Sequence, residues 1–132
     1  MSGSGKCLCG GINFKYDSEP SLFLICHCTD CQRATGSAVA SIIVIPETDF
    51  HCEGELGSYT CETNVTRSFC KNCGSQVFSR AESAPGIVLI KTGVLDEQPK
   101  IKPNLGCWKK SKPGWLNIEH PENTFDENPV LG

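Results

Sequence analysis

Ten cysteines in a chain of 132 residues constrain the fold more than any other feature of the sequence. Such a count has two main explanations, a disulfide framework in a secreted protein or thiolate ligands for a metal in a reducing compartment. The spacing favours a metal, because disulfides rarely need thiols that lie so close together along the chain. The three groups are Cys7 with Cys9, then Cys26 with Cys28 and Cys31, and then Cys70 with Cys73.

The rest of the composition narrows the class of protein. Residues Met1 to Lys6 are rich in Gly and Ser and lack the apolar segment of a secretory signal, and no apolar stretch approaches the roughly 20 residues of a membrane span. The net charge is −3, and Lys and Arg form no run that would neutralise phosphates. We therefore expect a cytoplasmic protein that binds neither a membrane nor nucleic acid.

The length and the hydrophobic pattern predict one mainly β domain over residues 1–132. Ile12, Phe14 and Tyr16 alternate with polar residues, as in a half-buried strand. The apolar runs Leu22 to Ile25, Ala38 to Ile45 and Ile87 to Ile90 predict further strands, the last two central in a sheet. Shorter strands are expected around four more positions, which are Phe50, Tyr59, Phe69 and Val77 to Phe78.

One short helix and an extended tail complete the prediction. Thr29 or Asp30 is expected as the N-cap of a helix of one or two turns that Gly36 ends. From Pro99 onward the prolines predict an extended segment that lies across the sheet, with Trp108 and Trp115 as anchors. For each tryptophan, a place in the core or over it is favoured above a contact with substrate.

The first and last cysteine pairs predict a closed metal site. Cys7 with Cys9, and Cys70 with Cys73, are each followed by a glycine that can adopt a positive φ, so that both sulfurs of a pair can point at one ion. Four thiolates suit tetrahedral Zn²⁺ and leave no position for substrate, which predicts a structural role. The alternative is two unrelated pairs of buried or redox-active thiols.

The middle group predicts an open metal site. Cys26 and Cys28 can face the same side of an extended segment while His27 points away, and Cys31 can approach from the first turn of the helix. No fourth cysteine or well-placed histidine lies nearby in the sequence. Three protein ligands with an open position are typical of a catalytic zinc, and the alternative is a set of thiols that binds zinc weakly.

The three groups in this order resemble the glutathione-dependent formaldehyde-activating enzyme family, which also includes centromere protein V. The resemblance rests on three motifs that span most of the chain, which are Cys7-x-Cys9-Gly10-Gly11, Cys26-His27-Cys28-x-x-Cys31 with Gly36, and Arg67-Ser68-Phe69-Cys70-x-x-Cys73-Gly74-Ser75. It implies an Mss4-like fold of twisted antiparallel sheets with zinc knuckles. It also implies a carbon–sulfur lyase that combines glutathione and formaldehyde reversibly as S-hydroxymethylglutathione.

The resemblance assigns the same roles to the cysteines. It implies a structural zinc on Cys7, Cys9, Cys70 and Cys73, and a catalytic zinc on Cys26, Cys28 and Cys31. Arg33, Arg67 and Trp108 are the candidate contacts for the substrate, and the arginines are also candidates for balancing charge. Many relatives carry a histidine shortly before the C-terminal tryptophan motif, where this chain has Gly106-Cys107-Trp108.

Two other functions remain open from the sequence. Mss4 itself shares the implied fold as a chaperone-like partner of small GTPases, so a non-catalytic binding module is one alternative. Reduction of methionine sulfoxide is the other, and it would need a redox-active cysteine such as Cys107 on a strand near the pocket. Cys107 is also a candidate to line the pocket. Cys52 and Cys61 are expected to be small buried thiols, and the alternative is that they face each other across a hairpin.

Overall fold

The computed structural model describes residues 3–129 and confirms a mainly β protein with one short α-helix. The helix α1 covers Thr29–Thr35. Ten strands occur in the described part of the chain, which are β1 (Gly3–Lys6), β2 (Asn13–Tyr16), β3 (Leu22–Cys26), β4 (Ala40–Pro46), β5 (Phe50–Glu53), β6 (Leu56–Thr60), β7 (Val65–Cys70), β8 (Gln76–Ala81), β9 (Ile87–Lys91) and β10 (Leu105–Cys107). Short 3-10 turns lie at Glu47–Asp49, Thr92–Val94 and Lys109–Ser111.

The chain folds into two compact units, of which the first contains the residues up to Ser21 and Ile43–Pro99. Its smaller sheet has the order β1-β2-β5, and both of its ladders are antiparallel. Its larger set of strands has the order β4-β9-β8-β7-β6, with antiparallel pairing from β9 to β6. Each segment of this unit that was predicted to be a strand contains one.

The core of the first unit explains the alternating pattern of β2. Phe14 and Tyr16 are buried while Asn13 and Lys15 between them are exposed. The ring of Phe50 lies between two others, 5.8 Å from Phe14 and 4.9 Å from Phe78 between ring centroids. Such tilted and edge-on aromatic contacts stabilise a core beyond the burial of area alone.

The second unit contains Leu22–Ile42 and the described residues from Lys100 onward. Strand β3 lies between β10 and β4, and β10 runs parallel to it with Leu105 opposite Leu24 and Cys107 opposite Cys26. The helix α1 follows β3 after two residues. No helix among residues 3–129 is long and apolar enough to span a membrane.

The tail differs from the prediction of an extended segment without regular structure. It contains β10, and the residues around Thr124 run beside that strand, with hydrogen bonds from Gly106 N to Asn123 O (2.9 Å) and from Phe125 N to Gly106 O (2.9 Å). Trp115 is 77% exposed, so its predicted role as an anchor is wrong. Its ring lies on the rim of a cleft rather than over a core.

Candidate metal centres

The sulfur atoms of Cys7, Cys9, Cys70 and Cys73 all lie within 4.8 Å of one another. The Cys9 sulfur is 3.7 Å from that of Cys7 and 3.7 Å from that of Cys70. A tetrahedral ion about 2.3 Å from each of four sulfurs would hold them about 3.8 Å apart. The four-cysteine cluster therefore has the donor set and the spacing to hold a metal ion.

Two matching turns build the four-cysteine cluster. Gly10 N donates to Cys7 O (3.1 Å) and Gly74 N donates to Cys70 O (2.8 Å), and the two glycines have φ angles of 80° and 78°. A positive φ is strained for other residues, so glycine allows each turn to close beneath its sulfurs. The expected use of both glycines is confirmed by these angles.

Backbone and side-chain donors surround the same sulfurs. Ile12 N lies 3.2 Å from the Cys7 sulfur and Gly11 N lies 3.4 Å from the Cys9 sulfur. The hydroxyl of Ser75 lies 3.2 Å from the Cys73 sulfur, and this bond, together with backbone N–H donors, lowers the pKa of Cys73 to about 5. Hydrogen bonds also lower the pKa of Cys9, the largest from the side chain of Asn72. These contacts favour the thiolate form that a metal requires.

Ser75 and Asn72 are functional neighbours to which the sequence analysis gave no role. Ser75 also accepts a hydrogen bond from Leu8 N (3.1 Å). This bond connects the turn at residues 7–10 with the turn at residues 70–74, which we call the two knuckles. The sequence did contain one indication of this role, because Ser75 directly follows Cys73-Gly74 in the motif. A serine is not itself a usual zinc ligand, so the motif did not identify Ser75 as a neighbour of the sulfurs.

The second cluster joins Cys26, Cys28 and Cys31, whose sulfur atoms also lie within 4.8 Å of one another. Cys26 ends β3, Cys28 precedes α1, and Cys31 is in the first turn of that helix. Cys26 and Cys31 are buried while Cys28 is partly exposed, so one side of the cluster reaches solvent. This three-cysteine cluster is a second group that could hold a metal ion.

The N-cap of α1 is Cys28 and not Thr29 or Asp30 as expected. The Cys28 sulfur accepts a hydrogen bond from Cys31 N (3.2 Å), in the place where a serine or aspartate oxygen normally accepts. The prediction failed because cysteine is not a usual capping residue. The helix ends as predicted at Gly36, which has a φ of 67°.

The thiols of Cys26 and Cys28 have raised pKa values and favour the protonated form in the absence of a cation. The pKa of Cys26 is raised, chiefly by its hydrogen bond to Cys107, and the pKa of Cys28 is raised, chiefly by its hydrogen bond to Cys26. Crowded sulfurs cannot all become negative unless a positive charge joins them. A metal that binds here must therefore displace protons.

Cys107, which the sequence made a candidate to line the pocket, is a fourth thiol beside the cluster. It is opposite Cys26 in the parallel ladder, it is 5% exposed, and its interaction with the Cys26 side chain lowers its pKa. It does not belong to the set of sulfurs that lie within 4.8 Å of one another. Strand β10 brings it near from a distant part of the sequence, a placement that local spacing cannot reveal.

His27 is fully buried and its ring meets a second histidine rather than the cluster. The Nε2 atoms of His27 and His120 lie 2.9 Å apart, so that one ring donates its N–H to the other. Burial lowers the pKa of both rings, which favours a neutral pair. The pair fastens the tail to the segment that carries Cys26 and Cys28.

The three candidate substrate contacts have different surroundings. Arg33 is exposed in the last turn of α1, and among residues 3–129 it has no carboxylate in ion-pair distance. Arg67 is buried on β7 in the first unit, opposite Ser79. Trp108 has a φ of 58°, donates from Nε1 to Asn128 (2.8 Å) and is covered by the ammonium of Lys110 at 5.3 Å from the ring centroid.

An open cleft of about 400 Å³ lies beside α1 in the second unit. Thr29, Gln32 and Arg33 line it from the helix, and Trp115 lines it from the tail. The side-chain amide of Gln32 connects the segment before α1 to the tail, because it donates hydrogen bonds to His27 O (2.8 Å) and to Ser111 O (2.9 Å). No acidic residue is among the lining residues, so the cleft carries the charge of Arg33.

The isolated cysteines do not pair with each other. Cys52 is on β5 in the smaller sheet, whereas Cys61 follows β6 in the other set of strands and contacts the hydroxyl of Thr63 at 3.0 Å. The two are therefore not opposite each other in a hairpin. Both are partly buried free thiols.

Two known proteins are similar to this chain in sequence or in fold. A Schizosaccharomyces pombe (strain 972 / ATCC 24843) protein described as an uncharacterized lyase is 28% identical over 74 residues, which are 56% of this chain and 54% of that protein. The match thus spans about half the length of that curated relative. A crystal structure of a Rhodobacter sphaeroides protein shares the fold, with a TM-score of 0.57, 22% identity and coverage of 76% of this chain and 91% of the other.

The match to a family model is the most extensive of these similarities. The model of the glutathione-dependent formaldehyde-activating enzyme matches residues 2–111, which include all seven clustered cysteines and Cys107. It covers residues of both compact units. By its motifs, its fold and this match, the chain belongs to the glutathione-dependent formaldehyde-activating enzyme family.

Proposed function

We propose that this chain is a zinc-dependent carbon–sulfur lyase that acts on an adduct of formaldehyde, or a related aldehyde, with glutathione or another small thiol. The family supports a lyase of this kind, and the lyase name of the yeast relative agrees with it. The observation that carries the proposal is the three-cysteine cluster, which contains three sulfur atoms within 4.8 Å of one another and no fourth. Zinc held by three protein ligands keeps a position for a visiting ligand.

The two clusters would have different roles. The four-cysteine cluster would hold a structural zinc, because four sulfurs complete a tetrahedral shell. Cys26, Cys28 and Cys31 would hold the catalytic zinc, and three thiolates would leave that complex at a net charge of −1. Such an ion is a weak Lewis acid but lowers the pKa of a thiol at its fourth position.

The reaction itself requires one bond to sulfur and one proton transfer. In the forward direction the thiol sulfur adds to the aldehyde carbon, and the proton that the thiol loses ends on the aldehyde oxygen. The lyase direction reverses both changes. The contribution of this chain is to hold the reacting groups together, and the bond from Cys31 N to the Cys28 sulfur keeps that ligand at the start of the helix.

Arg33 would bind the anionic part of the thiol substrate in the cleft beside α1. Glutathione carries carboxylates, and a guanidinium without an ion-pair partner recognises such groups well. Thr29 and Gln32 in the cleft directly follow Cys28 and Cys31 in the sequence, so the cleft begins next to the cluster. Arg67 and Trp108 remain predictions as substrate contacts.

Replacing Arg33 with Ala is expected to raise KM for glutathione about tenfold, which corresponds to about 1.4 kcal/mol, and to change kcat little. The Arg33→Lys variant keeps the charge and should lose less. Steady-state rates measured with 2-mercaptoethanol, which has no carboxylate, provide the control and should be the same for all three proteins. Equal KM values for glutathione would remove Arg33 from the substrate site.

Metal counting tests the two zinc sites directly. We expect two zinc ions per chain by elemental analysis, and a chelator at neutral pH should remove one of them while the circular dichroism spectrum stays unchanged. Three ligands hold an ion less firmly than four. The pKa is raised at both Cys26 and Cys28. In the four-cysteine cluster the pKa is raised at Cys70 but lowered at Cys9 and Cys73, so protons compete at higher pH for the three-cysteine cluster. On acidification the same ion should therefore leave first.

Other results of the metal count support other functions. One zinc per chain with no binding of thiols would favour the non-catalytic module of Mss4-like fold. Simultaneous loss of both ions, with unfolding, would contradict the proposed division into a structural and a catalytic site.

Methionine-sulfoxide reduction keeps one supporting observation, since Cys107 is on a strand beside the cluster. Its thiol is only 5% exposed, which leaves little access for a protein substrate. An assay with free and peptide-bound methionine sulfoxide should give no turnover.

A cytoplasmic location, or another reducing compartment, is proposed because all ten cysteines are free thiols.

A further inference from the structure

We propose that Cys26 and Cys107 form a redox pair, which a peroxide converts into a disulfide when the three-cysteine cluster lacks its metal. The pair would be a modification site that removes one ligand from the cluster. It rests on the proposed function only in that Cys26 is taken as a metal ligand. Cys107 itself is not needed to complete either cluster.

The geometry of the parallel ladder brings these two residues together. Cys107 is directly opposite Cys26, and directly opposite residues on neighbouring strands point to the same face. Neighbouring strands lie about 4.8 Å apart, within the Cα separations of about 4.4 to 6.8 Å that a disulfide spans. The pair therefore needs little backbone movement to form the bond.

Contacts at the end of β10 keep the pair in place. His27 N donates to Cys107 O (3.1 Å), which fixes the last residue of β10 beside the end of β3. Both residues are less than 10% exposed, at 7% for Cys26 and 5% for Cys107. A cysteine retained only as a small core residue would need no contact with a ligand sulfur.

The oxidation balances with hydrogen peroxide as the oxidant. One of the two sulfurs attacks the O–O bond and becomes a sulfenic acid with release of water, and the second sulfur then displaces the hydroxyl group as a second water molecule. Two thiols lose two electrons and two protons, and one peroxide becomes two waters. A small dithiol reverses the reaction by thiol–disulfide exchange.

The consequence for the cluster is the loss of one of three donors. A sulfur in a disulfide is not a thiolate and is a poor zinc ligand, so Cys28 and Cys31 would remain alone. A bound metal ion would in turn protect Cys26, because the sulfur lone pairs that attack peroxide would be engaged. Metal and oxidant would therefore compete for the same sulfur.

Peptide mapping tests the pair. The full chain, either zinc-loaded or pretreated with chelator, is exposed to hydrogen peroxide, alkylated and digested with trypsin. Cys26 is then in the peptide 16–33 and Cys107 in the peptide 101–109. We expect the cross-link between these peptides in the chelated protein and at least about tenfold less of it in the zinc-loaded protein.

Single variants identify the partner of Cys107. The cross-link should disappear in Cys26→Ser and in Cys107→Ser and persist in Cys31→Ser, with circular dichroism as the check of folding. Zinc uptake after oxidation, followed with a chromophoric chelator, should fall by one ion and return after treatment with a dithiol. Cys52→Ser is the matched control for a partly buried cysteine outside the pair.

Two results would overturn the inference. One is complete alkylation of Cys107 in the oxidised, chelated protein, with disulfides confined to the peptide 16–33. The other is equal cross-linking with and without zinc. A missing cross-link in a protein that binds two zinc ions and turns over substrate leaves the lyase proposal intact, whereas a cross-link in an inactive protein leaves the redox pair intact.

Discussion

Substitution of Cys70 with Ser is expected to prevent the chain from accumulating as a folded protein. Cys70 is 2% exposed and one of four sulfurs that connect the two knuckles. A structural zinc contributes about 10 to 16 kcal/mol in peptide models, whereas a whole domain is stable by about 5 to 15 kcal/mol. Loss of this site therefore removes an amount comparable to the total. Zinc content and thermal unfolding followed by circular dichroism would measure the effect.

Cys61→Ser is the matched control for this prediction. Cys61 belongs to the same unit, is partly exposed and contacts Thr63 rather than the cluster. Its substitution should change the free energy of unfolding by no more than about 0.5 kcal/mol. If Cys70→Ser kept both its zinc and its unfolding temperature, the four sulfurs would not be the structural centre proposed above.

The second large effect is expected from Cys28→Ser, which should lower turnover more than about 100-fold while the fold persists. A serine oxygen is a good N-cap, so it can accept the hydrogen bond that Cys31 N now donates to the Cys28 sulfur. The helix is therefore retained while the cluster loses one of its three thiolates. The rate of S-hydroxymethylglutathione formation above the uncatalysed rate, measured by NMR, gives the readout.

The zinc content of the same variant separates the two clusters. It should fall from two ions to one, since the four-cysteine cluster is unchanged. Cys52→Ser, on β5, should keep both ions and the full rate. Unchanged turnover in Cys28→Ser would place the chemistry elsewhere in the molecule.

Local patterns in the sequence were sufficient for most of the strands and for the composition of both clusters. Alternation along Phe14 and Tyr16 records which face of β2 is buried, because a strand turns successive side chains to opposite faces. The cysteine spacing similarly indicates turns whose backbone hydrogen bonds span only three residues, from Gly10 to Cys7, or four, from Gly74 to Cys70. Such features depend only on residues that are close together in the sequence, so they can be predicted from the sequence alone.

Two strands were missed because their reasons are not local. β1 reads Gly-Ser-Gly-Lys, a composition typical of a loop, yet Gly5 is opposite Phe14 and a Cβ atom there would lie 2.3 Å from the Phe14 ring. β10 has three residues in a proline-rich tail, and its partner β3 is far away in the sequence. Cys107 was a candidate to line the pocket, but its place opposite Cys26 depends on that same strand pairing and was not predicted.

The use of two distant chain segments in the second unit has a consequence for biosynthesis. Ribosomes make proteins from the N-terminus, so all four cysteines of the knuckles, the last of them Cys73, are synthesised before Leu105–Cys107 exists. The nascent chain can therefore acquire its first ion while β3 still lacks the parallel partner that flanks it in the finished protein. The ligands of the three-cysteine cluster are also complete by then, since Cys31 precedes Cys73, so the tail would add the parallel neighbour of β3 after both sets of metal ligands have been synthesised.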